Sequence, residues 1–277
     1  MRQLELPSGR TMPVSGIGTW RMGENAEFRE HEIDVIRAAL DLGITLIDSA
    51  EMYGEGGAEE VIGEAISGRR QDLYLVSKFY PHHASRRGVI EACERSLRRM
   101  DCDHIDLYLL HWRGSIPLEQ TFEALYELQN DGRILDFGVS NFDIDDLEAI
   151  PAEGQERIAC NQVFYNLAHR EAEWAVADWC RNRGCAVMAY SPLDQGGALL
   201  QSPVLAGIAT RHAASAAQVA LAWLLRQPNT AVIPKSARPE RIAENLAALD
   251  IDLGADDLAE LEQAFAAPQA AVRLQMR

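Results

Sequence analysis

The sequence predicts an α/β protein, a single (β/α)8 TIM barrel with an N-terminal β-hairpin, spanning residues 1–277 as one domain. Three observations carry this expectation. Short β-rich runs alternate with amphipathic helical stretches along the chain. No segment rich in Pro, Gly or Ser is long enough to divide two domains. The length of 277 residues is slightly above the roughly 250 typical of one such barrel.

Leu4–Val14, with Ser8-Gly9 at its centre, reads as a hairpin able to plug the barrel floor. Strand signals recur at Ile44–Ala50, Leu73–Phe79, Ile105–Trp112, Asp136–Asn141, Ala159–Asn166, Ala186–Ser191 and Thr230–Lys235. Between them lie helical stretches at Glu32–Leu42, Glu59–Ile66, Gly88–Met100, Leu118–Asn130, Glu171–Asn182 and Ala216–Leu225. In Gly88–Met100 the apolar Val89, Ile90, Cys93, Leu97 and Met100 keep helical spacing, with Glu91, Glu94, Arg95 and Arg98 between them. Repeated βα units imply parallel strands joined by crossover helices. Seven strands are clear, and the eighth is expected either in the weakly patterned region near Leu199–Ala209 or in an element assigned otherwise. Gly16-Ile17-Gly18 is assigned to the N-terminal segment as a point of close backbone approach.

Composition narrows the function. Apolar residues make up 47% of the chain, ordinary for a globular protein. No apolar run approaches the roughly 20 residues that span a bilayer. The start, Met1-Arg2-Gln3-Leu4-Glu5-Leu6-Pro7, lacks the pattern of a signal peptide, so a cytoplasmic protein is expected. Lys plus Arg total 26 against 42 Asp plus Glu, a formal charge of −16. Such a surface repels polyanions, which disfavours nucleic acid and anionic membranes as partners. An anionic cofactor would need a local basic cluster to overcome that field. The five cysteines are an odd number without framework spacing and read as buried or half-buried thiols. Cys180 and Cys185 lack the second pair that a zinc site needs, His82-His83 reads as a loop pair, and no metal is expected.

Chemistry in such barrels sits at the C-terminal ends of the strands. The first strand signal ends in Asp48 and its loop carries Tyr53; the second ends in Lys78 and the third in His111. Singly, a terminal Asp caps a loop, a Lys reaches water and a His after Leu109-Leu110 packs in a core. Together, at adjacent strand ends, they can converge. Reducing a carbonyl by hydride transfer needs a proton donor at the oxygen. Tyrosine is a weak acid, with a pKa near 10. A lysine ammonium beside it favours the phenolate, and an aspartate would hold that lysine charged. A neutral imidazole could orient the carbonyl oxygen.

Asp48-Ser49-Ala50-Glu51-Met52-Tyr53-Gly54, Lys78 and Leu109-Leu110-His111-Trp112 resemble the aldo-keto reductase superfamily. The resemblance extends over essentially the whole chain, from Gly16-Ile17-Gly18-Thr19-Trp20 to Ile233–Asn245. It implies Tyr53 as general acid, Lys78 and Asp48 as its tuning pair and His111 as the carbonyl-orienting residue. Arg113-Gly114 stands where many relatives carry proline, a departure in the loop beside the pocket.

A Rossmann fingerprint is missing. By resemblance, Gly18, Thr19 and Trp20 belong to the cofactor site, and Ser140, Asn141, Gln162, Tyr190, Ser191, Pro192 and Leu193 line its nicotinamide half. Ser140, Asn141 and Gln162 would bond the carboxamide and Tyr190 would stack on the ring. From the residues themselves, Pro239 suits a first helical turn, which puts Arg241, Glu244 and Asn245 on one face. Lys235, Arg238 and Arg241 concentrate positive charge at that helix start, a ready anion site. The resemblance gives Lys235, Ser236 and Arg241 to the adenosine 2′-phosphate and Glu244 and Asn245 to the adenine, with Ile233 and Pro234 beside them. NADP(H) is therefore the expected cofactor. Trp20, Phe79, Tyr80 and Trp112 are expected to wall the substrate around Tyr53, and the tail after Leu253 is short enough for a modestly enclosed pocket.

The expected function is NADPH-dependent reduction of a small-molecule aldehyde or ketone by a monomer. The pattern is similar to bacterial reductases of methylglyoxal and related 2-oxoaldehydes. Two other readings compete. One is a binding module that keeps this fold and NADP while serving another protein, as in β subunits of voltage-gated potassium channels; turnover of bound NADPH by an added aldehyde separates the two. The other is a metal-dependent hydrolase using His111 and Asp48, which metal analysis would reveal.

Overall fold

The computed structural model describes residues 2–277. Strands β1 (Gln3–Glu5) and β2 (Thr11–Pro13) form an antiparallel hairpin. Eight parallel strands come next: β3 (Gly16–Gly18), β4 (Leu46–Asp48), β5 (Tyr74–Phe79), β6 (Ile105–Leu110), β7 (Ile134–Ser140), β8 (Cys160–Phe164), β9 (Ala186–Tyr190) and β10 (Thr230–Val232). Each pairs with the next in sequence, as right-handed βα crossovers dictate. The ring closes where Ser15 bridges Val232 in parallel and the Val232 N–H donates to the Val14 carbonyl at 2.9 Å.

Strand alternation divides the core into two layers. Outward residues such as Ile47, Leu75, Phe79, Tyr108 and Leu110 pack against the surrounding helices. Inward residues Leu46, Val76, Leu107, Leu109, Cys160 and Met188 fill the barrel, where Leu6 and Met12 of the hairpin join them. The hairpin thus closes the floor. The same alternation that turns Leu46 and Val76 inward brings Asp48 and Lys78 inward two residues later, at the opposite end.

Two expectations are corrected. The eighth strand is Gly16–Gly18, the first of the barrel, and not a segment near Leu199–Ala209. A three-residue strand with two glycines has one side chain to announce it. Gly16 is required there because a Cβ would lie 2.1 Å from Leu46 Cδ2. Leu199–Ala209 instead enters a short 3-10 turn (Ala198–Gln201) and the helix Pro203–Arg211, which Ser202 caps and Pro203 begins. The stretch Glu171–Asn182 is also broken, into a 3-10 turn at Glu171–Glu173 and a short helix at Val176–Arg181. The five cysteines are free thiols, four of them buried. No helix among the described residues is long and apolar enough to cross a membrane.

Candidate active site

Asp48 and Lys78 face each other across β4 and β5 at the top of the barrel. The Lys78 Nζ donates to Asp48 Oδ2 at 2.8 Å and to the Ser49 carbonyl at 2.7 Å, and lies 3.5 Å from the Tyr53 hydroxyl. Lys78 is wholly enclosed. Burial pulls its pKa down, but Asp48 and then Tyr53 outweigh that pull and hold it above the ordinary value. The ammonium is therefore charged inside the protein.

Tyr53 opens the short turn Tyr53–Gly56 after β4. Burial raises its phenol above the ordinary value, and the lowering pull of Lys78 is the smaller effect. As expected, Lys78 favours the phenolate, but burial is the larger effect, so the hydroxyl stays protonated at neutral pH and Lys78 limits the rise. His111 comes directly after β6, its ring edge-on to Tyr53 with centroids 6.0 Å apart. Burial, and then the nearby Lys78, push the imidazole well below its usual pKa, so it is neutral, as expected. Its Nδ1 is buried without a protein partner, a condition most native polar groups avoid.

A second polar network adjoins the first. The Gln162 Nε2 donates to Asp48 Oδ1 at 2.7 Å, so both carboxylate oxygens are bonded. Ser140 Oγ donates to the Gln162 carbonyl at 2.9 Å. Asn141 donates to the His111 carbonyl at 3.1 Å and accepts from the Tyr190 hydroxyl at 2.9 Å. The residues the sequence assigned to catalysis and to the nicotinamide half of the cofactor are therefore physically continuous.

A cavity of about 710 Å³ runs from these groups to the basic helix start. Its wall includes Asp48, Tyr53, His111, Gly18, Trp20, Ser140, Asn141, Gln162, Tyr190, Ser191, Pro192, Leu193, Ile233, Pro234, Lys235, Ser236, Arg241 and Asn245. Thr19 is not in the wall; it is buried behind it, donating to the Asp48 carbonyl at 3.0 Å. Glu244 stands outside as the partner of Arg241 at 2.6 Å. Among the expected substrate contacts only Trp20, 41% exposed at the rim, lines the cavity. Phe79 does not: next to inward-facing Lys78, it must face out, and it packs on Tyr108 in the outer core. Tyr80 and Trp112 meet edge-on behind His111, Trp112 with its ring 4.9 Å from the imidazole.

Several wall residues escaped the sequence reading, among them Arg21, Met52, Gln195, Leu200 and Arg277, whereas Arg238 of the expected basic cluster does lie in the wall. Arg21 adjoins Trp20 directly, so proximity was a usable signal for it. Arg277 had none. The tail reaches back across the barrel mouth, with the Leu274 N–H donating to Asp143 at 3.1 Å and the Arg277 N–H to the Tyr190 hydroxyl at 3.2 Å, while the Arg277 side chain pairs with Asp194. The Arg113-Gly114 departure is local: Arg113 folds back to donate to the Ile116 carbonyl at 2.9 Å and to the Gly114 carbonyl.

Lys235, Ser236, Arg238 and Arg241 gather on one wall of a cavity in a chain of charge −16, the donor set a phosphate requires. The amide and hydroxyl groups of Ser140, Asn141 and Gln162 sit at its other end, beside Tyr53 and His111. These residues fit a dinucleotide carrying an extra phosphate.

The aldo/keto reductase family profile matches residues 16–266, and the chain belongs to that family. It is an NADP(H)-dependent oxidoreductase that reduces carbonyl groups. The chain is 43% identical to methylglyoxal reductase YeaE of Escherichia coli (strain K12), with 99% of each chain covered. It is 35% identical to glyoxal reductase of Bacillus subtilis (strain 168), over 94% of this chain and 91% of that one. A Klebsiella pneumoniae aldo/keto reductase crystallised with NADP and acetate superposes with a TM-score of 0.96 at 44% identity, 99% of each chain being covered. Another from the same organism, in complex with NADPH, gives 0.95 at 43% identity, covering 100% of this chain and 99% of that one.

Proposed function

We propose that Tyr53 is the proton donor of this reductase and that its substrate is a small 2-oxoaldehyde such as methylglyoxal. The observation that carries the first part is a protonated phenol 3.5 Å from a buried, charged lysine, edge-on to a neutral histidine, at the end of a cavity with a basic wall. NADPH, when bound, supplies the hydride. The protein's part is to hold the carbonyl and deliver a proton to its oxygen. His111, kept neutral, bonds and orients that oxygen. Tyr53 releases its hydroxyl proton to the oxygen as negative charge grows there. Lys78, held charged by Asp48, stabilises the phenolate left behind. Gln162 fixes the free oxygen of Asp48, so the pair cannot rotate away.

Lys235, Ser236 and Arg241 hold the 2′-phosphate in this reading, with Asn245 at the adenine. Gln162, Ser140 and Asn141 meet the carboxamide, and Tyr190 stacks on the ring. Support for the substrate comes from the relatives named methylglyoxal reductase and glyoxal reductase.

The test is NADPH oxidation by purified protein against a panel of aldehydes, ketones and 2-oxoaldehydes, with Tyr53→Phe beside the parent. Losing a general acid costs roughly 10²–10⁴-fold in rate. Tyr53→Phe should lose that much while its NADPH dissociation constant, read by cofactor fluorescence, stays near parental. Substantial retained turnover would remove Tyr53 from the role. Preference for simple ketones over 2-oxoaldehydes would remove the substrate assignment alone.

A further inference from the structure

Directly beneath the turn that carries Tyr53 lies an ion pair, a buried carboxylate and a partly exposed arginine, with no part in the proposed chemistry. Glu59, in the first turn of the helix Gly57–Ala65, is completely enclosed. One of its oxygens accepts from Ser77 Oγ at 2.6 Å and the other from Arg99 Nη1 at 3.0 Å. Arg99 belongs to the last turn of the helix Arg86–Met100. A carboxylate is costly to bury, and two helices can pack without one.

What the pair touches on either side gives it a use. Ser77 is the residue before Lys78 on β5, so Glu59 is tied to the strand that presents the ammonium. Arg99 lies against the backbone of the Tyr53 turn: a Cβ on Gly56 would fall 2.3 Å from its Cζ and Nε. That turn is unusual. Gly54, Glu55 and Gly56 all have positive φ, at 58°, 56° and 94°, a region open to the two glycines but strained for Glu55. A residue with a side chain keeps this conformation where its surroundings hold it. The guanidinium plane of Arg99, itself fixed by Glu59, is one such surface, reached because position 56 has no side chain.

We propose that Glu59 and Arg99 are positioning residues that set the separation of the Tyr53 hydroxyl from the Lys78 ammonium. The pair joins the turn carrying one group to the strand carrying the other. Resting on the reading of Tyr53 as proton donor, this inference adds two residues that touch neither substrate nor cofactor. At 3.5 Å the Tyr53–Lys78 contact is already at the limit of a hydrogen bond. A further displacement of about 1 Å at a reacting group costs on the order of 10²-fold in rate.

The experiment compares Arg99→Met, Arg99→Lys and the double variant Glu59→Gln/Arg99→Met with the parent and Tyr53→Phe. The double variant leaves no unpaired buried charge, so it carries the test if Arg99→Met alone does not fold. For each, kcat and KM for one aldehyde, the NADPH dissociation constant and the pH profile of kcat are measured on holoenzyme with a verified thermal transition. The expected result for Arg99→Met and the double variant is a roughly 10- to 100-fold fall in kcat, with NADPH affinity within about two-fold and a displaced pH profile. Arg99→Lys should recover part of the rate. A folded double variant with parental kcat and pH profile, while Tyr53→Phe is inactive, overturns this proposal and spares the role of Tyr53. Equal loss of rate and NADPH affinity overturns it too, since that is the signature of a general structural role. An active Tyr53→Phe overturns the reading of Tyr53 and this proposal with it.

Discussion

His111 shows how burial and charge decide what one side chain can do. A histidine in water titrates near pH 6.5. Largely buried in the cavity wall and near the Lys78 ammonium, it is held neutral far below that point. The unfolded chain therefore takes up a proton below about pH 6.5 that the folded one refuses, so stability must fall as pH drops through that value. His111→Gln should flatten this decline. Thermal midpoints of parent and variant between about pH 7.5 and 5.5 would show it, and parallel curves would mean that His111 is not held neutral. The residues of the candidate cluster were legible because Asp48, Lys78 and His111 lie at the ends of apolar strand signals, and Tyr53 in the loop after the first, where barrel chemistry is expected. Phe79, expected in the substrate wall, is the neighbour of Lys78 on β5 and so faces the other way. Strand alternation sends neighbours to opposite faces, and the pocket belongs to Lys78 alone. The net acidity of Tyr53 was beyond the sequence as well, since it depends on how completely the phenol is enclosed.

At the level of elements, the long amphipathic helices and the six- to eight-residue strand signals announced themselves through periodicity. Leu118–Asn130 was read with its observed bounds, and the helix at Gly88–Met100 needed only the two residues between it and its Ser85 cap. The failure was β3. Its Gly-Ile-Gly has no alternation to detect, and its role comes from what it lies against. Gly16 has Leu46 so close that a methyl group could not fit without moving β4. Gly16→Ala should therefore destabilise the barrel where it closes, by about 1–3 kcal/mol, the usual cost of overpacking a dense core. Denaturant unfolding would measure it; an unchanged midpoint would mean that β3 and β4 separate freely. Since Gly18 and Asp48 are paired in the same register, the variant should also lose activity beyond its loss of stability.

The molecule as a whole carries a charge of −16, yet binds an anionic cofactor. A basic wall in a negative field is an electrostatic device whose strength depends on salt. If Arg241 meets the 2′-phosphate, losing its charge-assisted contact costs roughly 1.5–3 kcal/mol, or about 10- to 100-fold in NADPH affinity. NADH, which lacks that phosphate, should bind Arg241→Ala about as it binds the parent. Salt should weaken NADPH binding more than NADH binding, and the difference should shrink in the variant. Dissociation constants for both cofactors at two salt concentrations decide the matter; an equal loss for the two would show that Arg241 supports the pocket generally. The Arg241–Glu244 pair is half exposed, so breaking it should cost the fold little.

By itself the sequence determined the features that rest on local pattern and on the chemistry of single residue types. Periodicity marked the βα repeat, strand ends marked Asp48, Tyr53, Lys78 and His111, and a proline-led basic stretch in an acidic chain marked an anion site. Tertiary structure alone decided which side chains share a space. The ring is closed by a strand with one side chain, and Thr19 and Gln162 both hold Asp48. The tail lies over the mouth, with Arg277 against Tyr190. Each of these is a contact between segments far apart in the chain, fixed by packing, and no pattern within a short window of residues records it.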